Sequence, residues 1–336
     1  MVLVLTWPFD LYGTVPQKIK TTYCTCNVFS ITNQSLGSEN MNCLQSKLGE
    51  KFSHLVKKHP CFNGEAHNNF GRIHLPVSPA CNIQCRFCKR GFNKWEKRPG
   101  VSSFLLKPKD SVGVVKRALE LCPQITVVGV AGPGDTLATD HALETFELIH
   151  KRFPHLINCL STNGLLLKEK AGRIVAAGVR TVTVTVNAVY PAVLKNICAY
   201  INYNGQYITG EHAARWLVMA QLAGIEKVVE LGAVVKINTV LIPGVNDHHV
   251  EEVARATAGA GASLINIIPL IPQHDMEKYP PPDCDELNAA RAAAEKHLPV
   301  FRHCRQCRAD ACGVPGTGVD LADELYEEPL STFSHG

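Results

Sequence analysis

The sequence predicts an α/β protein, an open partial (β/α)6 TIM barrel with extensions at both ends. Two observations predict it. Six apolar runs read as strands, at residues 73–77, 125–130, 156–160, 181–186, 234–241 and 264–270. Amphipathic segments fall between them, at 111–121, 140–152, 166–177, 211–223 and 248–260. Strands covered by helices on both faces read as near-continuous apolar runs, and strands alternating with helices imply a parallel sheet with right-handed crossovers. Six units fall short of the eight that close a barrel, so the sheet is expected to curve but stay open.

In chain order, residues 1–55 read as a poorly ordered extension, rich in Thr, Asn and Ser, without a period, and carrying Cys24, Cys26 and Cys43. A short helix is expected over 49–58. Residues 56–300 form the barrel with a ligand segment before its first strand. Ser111 and Asp247 suit helix N-caps, and Gly178 and Gly224 stand where C-caps belong. Pro280-Pro281-Pro282 marks a hinge into a last helix over 285–297. Residues 301–336 form a separate tail.

The chain has 336 residues, 46% of them hydrophobic, enough for a core of barrel size. A net charge of +4, spread along the chain, gives no case for a nucleic-acid partner. No run reaches the roughly eighteen apolar residues of a membrane span. Fourteen cysteines without a secretory signal read as metal ligands or buried thiols of a cytoplasmic protein. Cys122, Cys198 and Cys284 lie in helical or loop patterns and read as packing residues.

The strongest local signal is Cys81-Asn82-Ile83-Gln84-Cys85-Arg86-Phe87-Cys88, three cysteines spaced C-x3-C-x2-C just after the first strand. Three thiolates hold three irons of a 4Fe–4S cluster and leave the fourth without a protein ligand, open to a cosubstrate. A structural zinc site or a disulfide pair is the alternative, but zinc usually takes four ligands from two paired knuckles, and no second pair lies nearby.

In parallel α/β sheets ligands sit at the carboxyl ends of strands. There the chain places Gly132, Gly134 and Asp135, then Ser161, Thr162 and Asn163, then Asn187. Glycine admits close backbone approach, and Asn, Ser and Thr offer donors and acceptors for a ribose, carboxylate or ammonium. Ordinary turn chemistry accounts for each residue singly. In the tail, Cys304 and Cys307 form C-x2-C flanked by Arg305 and Arg308. The pair suits a metal or cluster, or a redox dithiol.

The cysteine trio has the spacing of the radical S-adenosylmethionine (SAM) superfamily, and the chain resembles it there. Three segments together resemble one family within it, the NifB nitrogenase cofactor maturases: His59-Pro60-Cys61 through His67, the trio with Arg98-Pro99-Gly100-Val101, and Cys304-Arg305-Gln306-Cys307-Arg308-Ala309-Asp310. Ala131-Gly132-Pro133-Gly134-Asp135 and Cys159-Leu160-Ser161-Thr162-Asn163-Gly164 match too. The resemblance implies a SAM-binding 4Fe–4S cluster on Cys81, Cys85 and Cys88. It implies two further 4Fe–4S clusters as substrates, one on His67, Cys304 and Cys307, the other on Cys61 and Cys159. It implies methyl transfer from one SAM to a cluster sulfide, hydrogen abstraction by a radical from a second, and a carbide inside a fused eight-iron product. Glu96 is the candidate for proton handling. The partners implied are an iron–sulfur cluster donor, a reductant protein and a separate carrier or scaffold, because the resemblance is to a short form without the carrier-like domain. Lys94 and Trp95 stand where some members carry another cysteine. A radical SAM enzyme acting on a peptide or small molecule, or a non-enzymatic iron–sulfur scaffold, are the alternatives.

Overall fold

The computed structural model describes residues 53–326. The short helix expected over 49–58 falls partly outside them, and its described part is helical over residues 53–57. Cys24, Cys26 and Cys43 lie outside the described residues.

Six parallel strands form the curved sheet: β1 (Gly71–His74), β5 (Ile125–Val130), β6 (Ile157–Thr162), β7 (Val179–Thr185), β10 (Val234–Leu241) and β11 (Leu264–Pro269). All six correspond to expected runs. A seventh strand, β12 (Cys312–Gly313), runs antiparallel beside β1, giving the order β11-β10-β7-β6-β5-β1-β12. Outward residues of these strands, among them Ile73, Val128, Leu160, Val182, Val235 and Ile265, form one apolar layer with the surrounding helices.

The inward positions are different. Arg72 and His74 of β1, Cys159 and Ser161 of β6, Thr181 and Thr183 of β7, Lys236 and Asn238 of β10 and Asn266 of β11 alternate with that apolar layer. A strand side chain changes face at every residue, so one polar set lines a lumen while the other packs under helices. Apolar residues close the lumen's floor. Val127, Ile157, Val234 and Leu264, near the strand starts, pack with Val56, Phe62 and Phe301.

Between β11 and β1 the barrel is open, and the tail crosses the gap. It leaves the edge of β11, where Phe301 N–H donates to Ile265 C=O at 2.8 Å. It arrives on the edge of β1, where Ile73 pairs with Cys312. The C-x2-C segment lies in this crossing.

Three elements depart from the expected pattern. The helix expected over 211–223 with Gly224 as its C-cap is α6 (Gly210–Glu230), and Gly224 lies inside it. A Cβ at Gly224 would meet Leu167 Cβ at 2.7 Å, so glycine serves a close helix–helix approach there rather than a helix end. Neither Ser111 nor Asp247 caps through its side chain: a 3-10 turn precedes each helix, and the N-cap positions fall to Asp110 and His249. Third, β2 (Ile83–Cys85), β8 (Cys198–Tyr203) and β9 (Gln206–Thr209) form a small antiparallel sheet. Its hairpin turn is Asn204-Gly205, both at positive φ, 51° and 80°, as a two-residue hairpin of this type requires. No helix among the described residues is long and apolar enough to cross a membrane.

Candidate metal centre

The trio of cysteines is held from three sides. β2 carries Ile83 to Cys85 and pairs with β8, placing Cys85 opposite Cys198. Within the loop, Cys88 N–H donates to Cys85 C=O at 3.0 Å, and the Gln84 amide donates to the carbonyls of Cys85 and Cys88 at 2.9 and 3.0 Å. Behind it, Gly134 N–H and Asp135 N–H donate to Ser78 and Ala80 C=O, each at 2.8 Å. A Cβ at Gly134 would collide with the Ala80 carbonyl, so this position admits only glycine without moving the loop.

Asp135 joins that support to the next strand. Its carboxylate accepts from Thr162 Oγ1 at 3.0 and 3.1 Å, from Asn163 N–H at 2.6 Å and from Leu137 N–H at 2.9 Å. Burial raises its pKa, and those bonds oppose the rise. Asn163 in turn donates to Asn82 Oδ1 at 2.7 Å and lies 3.9 Å from Cys81 Sγ. Asn187 accepts from Val240 N–H at 2.9 Å and Ser161 is half-buried on β6. Gly132, at φ +134°, lies under the tail, where a Cβ would meet Ala309 Cβ at 3.2 Å. Of the residues expected to bind SAM, Asp135, Thr162, Asn163 and Gly134 thus brace the cysteine loop.

Burial, with Asp135 beside it, pushes the Cys81 thiol up to about 12. Burial also raises Cys85 well above the ordinary thiol value. Cys88 is raised by burial too, against the pull of Arg90 and Arg98. Without metal these thiols are neutral, and binding iron displaces their protons. Among the described residues no three Cys, His, Asp or Glu groups close on one point as a single ion demands. A cluster asks less, because each sulfur binds a different iron.

A second group lies deeper. Cys61 is carried by the floor segment and Cys159 by the inner face of β6, and Cys61 is electrostatically coupled to Cys159, Cys307, Arg72 and Lys236. Burial pushes the Cys61 thiol up to about 12, against Lys236. Arg72 donates to Cys307 Sγ at 3.1 Å and to Gly313 C=O at 2.7 Å. Lys236 Nζ donates to Cys61 C=O at 2.9 Å and sits 4.9 and 5.4 Å from the ring centres of Phe62 and Phe301. Cation–π contacts of that kind contribute about 0.5–2 kcal/mol, against several kcal/mol for burying an ion.

His67 belongs to this group by its unused nitrogen. It sits on α1 (Gly64–Asn69), whose N-cap Asn63 accepts from Glu65 and Ala66 N–H. His67 Nδ1 lies 3.0 Å from Pro60 C=O, so it carries the proton, and the buried Nε2 has no partner among the described residues. A neutral imidazole with a bare Nε2 is a metal ligand in waiting. Burial lowers its pKa to about 4, so it keeps that lone pair at neutral pH. Cys304, by contrast, is exposed, whereas Cys307 is half-buried. Cys198 and Cys122 are buried as packing residues, whereas Cys284 is disulfide-bonded, against expectation.

The two groups are joined by a buried seam. Arg308 forms a paired contact with Asp310, at 2.8 and 2.9 Å, and donates to Glu96 and Asn93 C=O at 2.6 and 2.9 Å. Asp310 also accepts from Ser103 N–H and Oγ, both at 2.6 Å. The loop after Cys88 is thereby stitched to the tail after Cys307. Glu96 faces Arg98, with which it pairs. The strand reading singles out neither Arg72 nor His74, whereas Lys236 is visible in it as a polar residue within an apolar run. The signal was the period-two alternation of polar residues inside runs that are apolar on average.

A half-barrel of parallel strands with a three-cysteine loop after β1 defines a radical SAM enzyme, and the radical SAM superfamily profile matches residues 75–257. The chain is 48% identical over 83% of its length to the FeMo cofactor biosynthesis protein NifB of Methanocaldococcus infernus, covering 92% of that protein. It is 46% identical over 85% to NifB of Methanocaldococcus jannaschii, covering 98% of it, and 43% identical over 81% to that of Klebsiella pneumoniae, covering 59%. A radical SAM methyltransferase from Sphaerobacter thermophilus shares the fold, with TM-score 0.52 and 18% identity over 71% of this chain and 69% of that one. The chain belongs to the NifB family of the radical SAM superfamily. A 4Fe–4S cluster and SAM follow from that membership, and the trio fits the cluster.

Proposed function

We propose that the chain acts in FeMo-cofactor biosynthesis, fusing two 4Fe–4S substrate clusters around a carbide taken from SAM to make the eight-iron precursor. One observation carries this reading. Cys61, whose carbonyl Lys236 holds, lies within electrostatic reach of Cys159 and Cys307, and His67, six residues further on, keeps a bare, buried Nε2, while the SAM-type trio follows β1 of the same barrel. The bound 4Fe–4S cluster supplies reductive cleavage of SAM. The chain's own residues do the rest. The Asp135–Thr162–Asn163 network fixes the trio loop. The lumen ligands hold the substrates sparsely, as cargo that must rearrange and leave requires. Glu96, at the seam beside Arg98, is the proton-handling group at the rim. Cys304 enters as a ligand only if the exposed turn before Cys307 closes inward. An iron–sulfur donor, a reductant protein and a separate carrier complete the cycle.

Anaerobic reconstitution tests the reading. Three four-iron clusters give about twelve irons per chain. A plateau near about four irons would remove both substrate sites.

A further inference from the structure

Two cations are buried in the lumen without an ionic partner. Arg72 is 5% exposed and Lys236 6%. Neither belongs to a salt bridge among the described residues, whereas the buried Arg308 is paired with Asp310. Arg72 Nε is buried with no hydrogen-bond partner among the described residues. Burial opposes the charge on Arg72, while the Cys307 and Cys61 sulfurs favour it most and Asp320 less; Asp320 is exposed and its carboxylate accepts from Cys312 and Ala322 N–H. His59 and His74 face the same region and are held neutral, by burial first and then by Lys236 and Arg72 respectively, so they neither add charge nor cancel it.

Burying an ion is unfavourable unless an opposite charge comes with it. One carbonyl and two ring faces offset Lys236 only in part. Arg72 meets Cys307 Sγ and Lys236 meets the Cys61 carbonyl, but among the described residues no carboxylate pairs with either cation, so the lumen is left positive. Loading thiolate-bound iron and sulfide reverses this, because such a cluster is an anion.

We propose that Arg72 and Lys236 are an anion-holding pair that retains the polyanionic iron–sulfur cargo in the lumen by charge, where the few protein ligands alone would release it. Charge attraction is non-directional, so it holds a cargo whose ligands must change while it reacts. This inference rests on the proposed cargo.

The test uses the full chain, loaded anaerobically with ferrous iron and sulfide and then desalted. Iron per chain is measured for wild type, Lys236→Met, Lys236→Arg and Arg72→Met, with the spectrum of the three-cysteine cluster as loading control. Lys236→Met and Arg72→Met are expected to lose at least half of the iron held beyond that cluster, and Lys236→Arg to keep it. The unloaded Lys236→Met chain is expected to melt no lower than wild type, because an uncompensated buried charge is gone. Wild-type iron in both Met variants overturns the pair while leaving the cargo reading standing. A parallel fall in iron and unloaded-chain stability in Lys236→Met makes Lys236 structural and also overturns it. Only one cluster's iron in wild type sinks the cargo reading and this inference together.

Discussion

His67 donates its Nδ1 proton to the Pro60 carbonyl at 3.0 Å, seven residues back, and this one bond orients the opposite nitrogen as a bare, buried lone pair. The tautomer is set by the backbone, so the ring is prepared before any metal arrives. His67→Ala is expected to leave SAM cleavage near wild type while lowering the yield of product cluster about 10- to 100-fold, the usual range for perturbed metal sites. Product extracted after turnover measures it. Full yield would clear His67 of a ligand role.

Cys85 sits in the middle of the trio, on β2 against Cys198. Cys85→Ala is expected to abolish SAM cleavage and to remove about four of the irons, leaving those of the lumen. Methionine release and iron content check the two halves separately. Persistent cleavage would contradict the assignment of the open iron.

Gly134→Ala places a methyl group against the Ala80 carbonyl, and backbone cannot yield as a flexible side chain can. The cysteine loop must shift, and a displacement of about 1 Å at a reacting centre is enough to lose about 10²-fold in rate. SAM cleavage should therefore fall steeply in a chain that still folds, as judged by circular dichroism. Wild-type cleavage would show that the loop tolerates the shift.

The Arg308–Asp310 pair makes a pH prediction. Burial raises the Asp310 carboxyl, but hydrogen bonds from Arg308 and Ser103 outweigh it and the net shift is downward. A depressed carboxyl stabilises the fold above its unfolded pKa, and the contribution disappears as pH falls through the folded value. Wild type should therefore lose stability towards acid that Asp310→Asn never had. At neutral pH the variant leaves Arg308 buried and unpaired, a loss of about 3–5 kcal/mol. Denaturant titrations at pH 7 and pH 3 read both effects, and parallel pH curves for the two proteins would refute the account.

Much of this was legible in the chain. Six strands, the trio and its bracing glycines follow from apolar runs, turn chemistry and cysteine spacing, which are local signals. What escaped depends on distant partners. β12 exists because the tail returns to β1, and two residues carry no strand signature of their own. Gly224 looks like a helix end because glycine usually is one, and only the packing of Leu167 shows otherwise. The Asn204-Gly205 hairpin goes unread although that pair is a local hairpin signal, and its pairing with β2 depends on the fold. Arg72 falls one residue outside the expected first strand, and Lys236 is visible as a polar residue in an apolar run, but nothing local shows what it faces. Both matter because of what faces them across the lumen.

The most direct measurement follows carbon. SAM labelled in its methyl group is supplied to the loaded chain with a reductant, and the released cluster is isolated. If the lumen holds two clusters that are fused around a SAM-derived carbon, the label appears in that cluster, and it is absent from clusters made by Cys85→Ala. Label recovered wholly in methionine and other small molecules, with none in the cluster, would contradict the account.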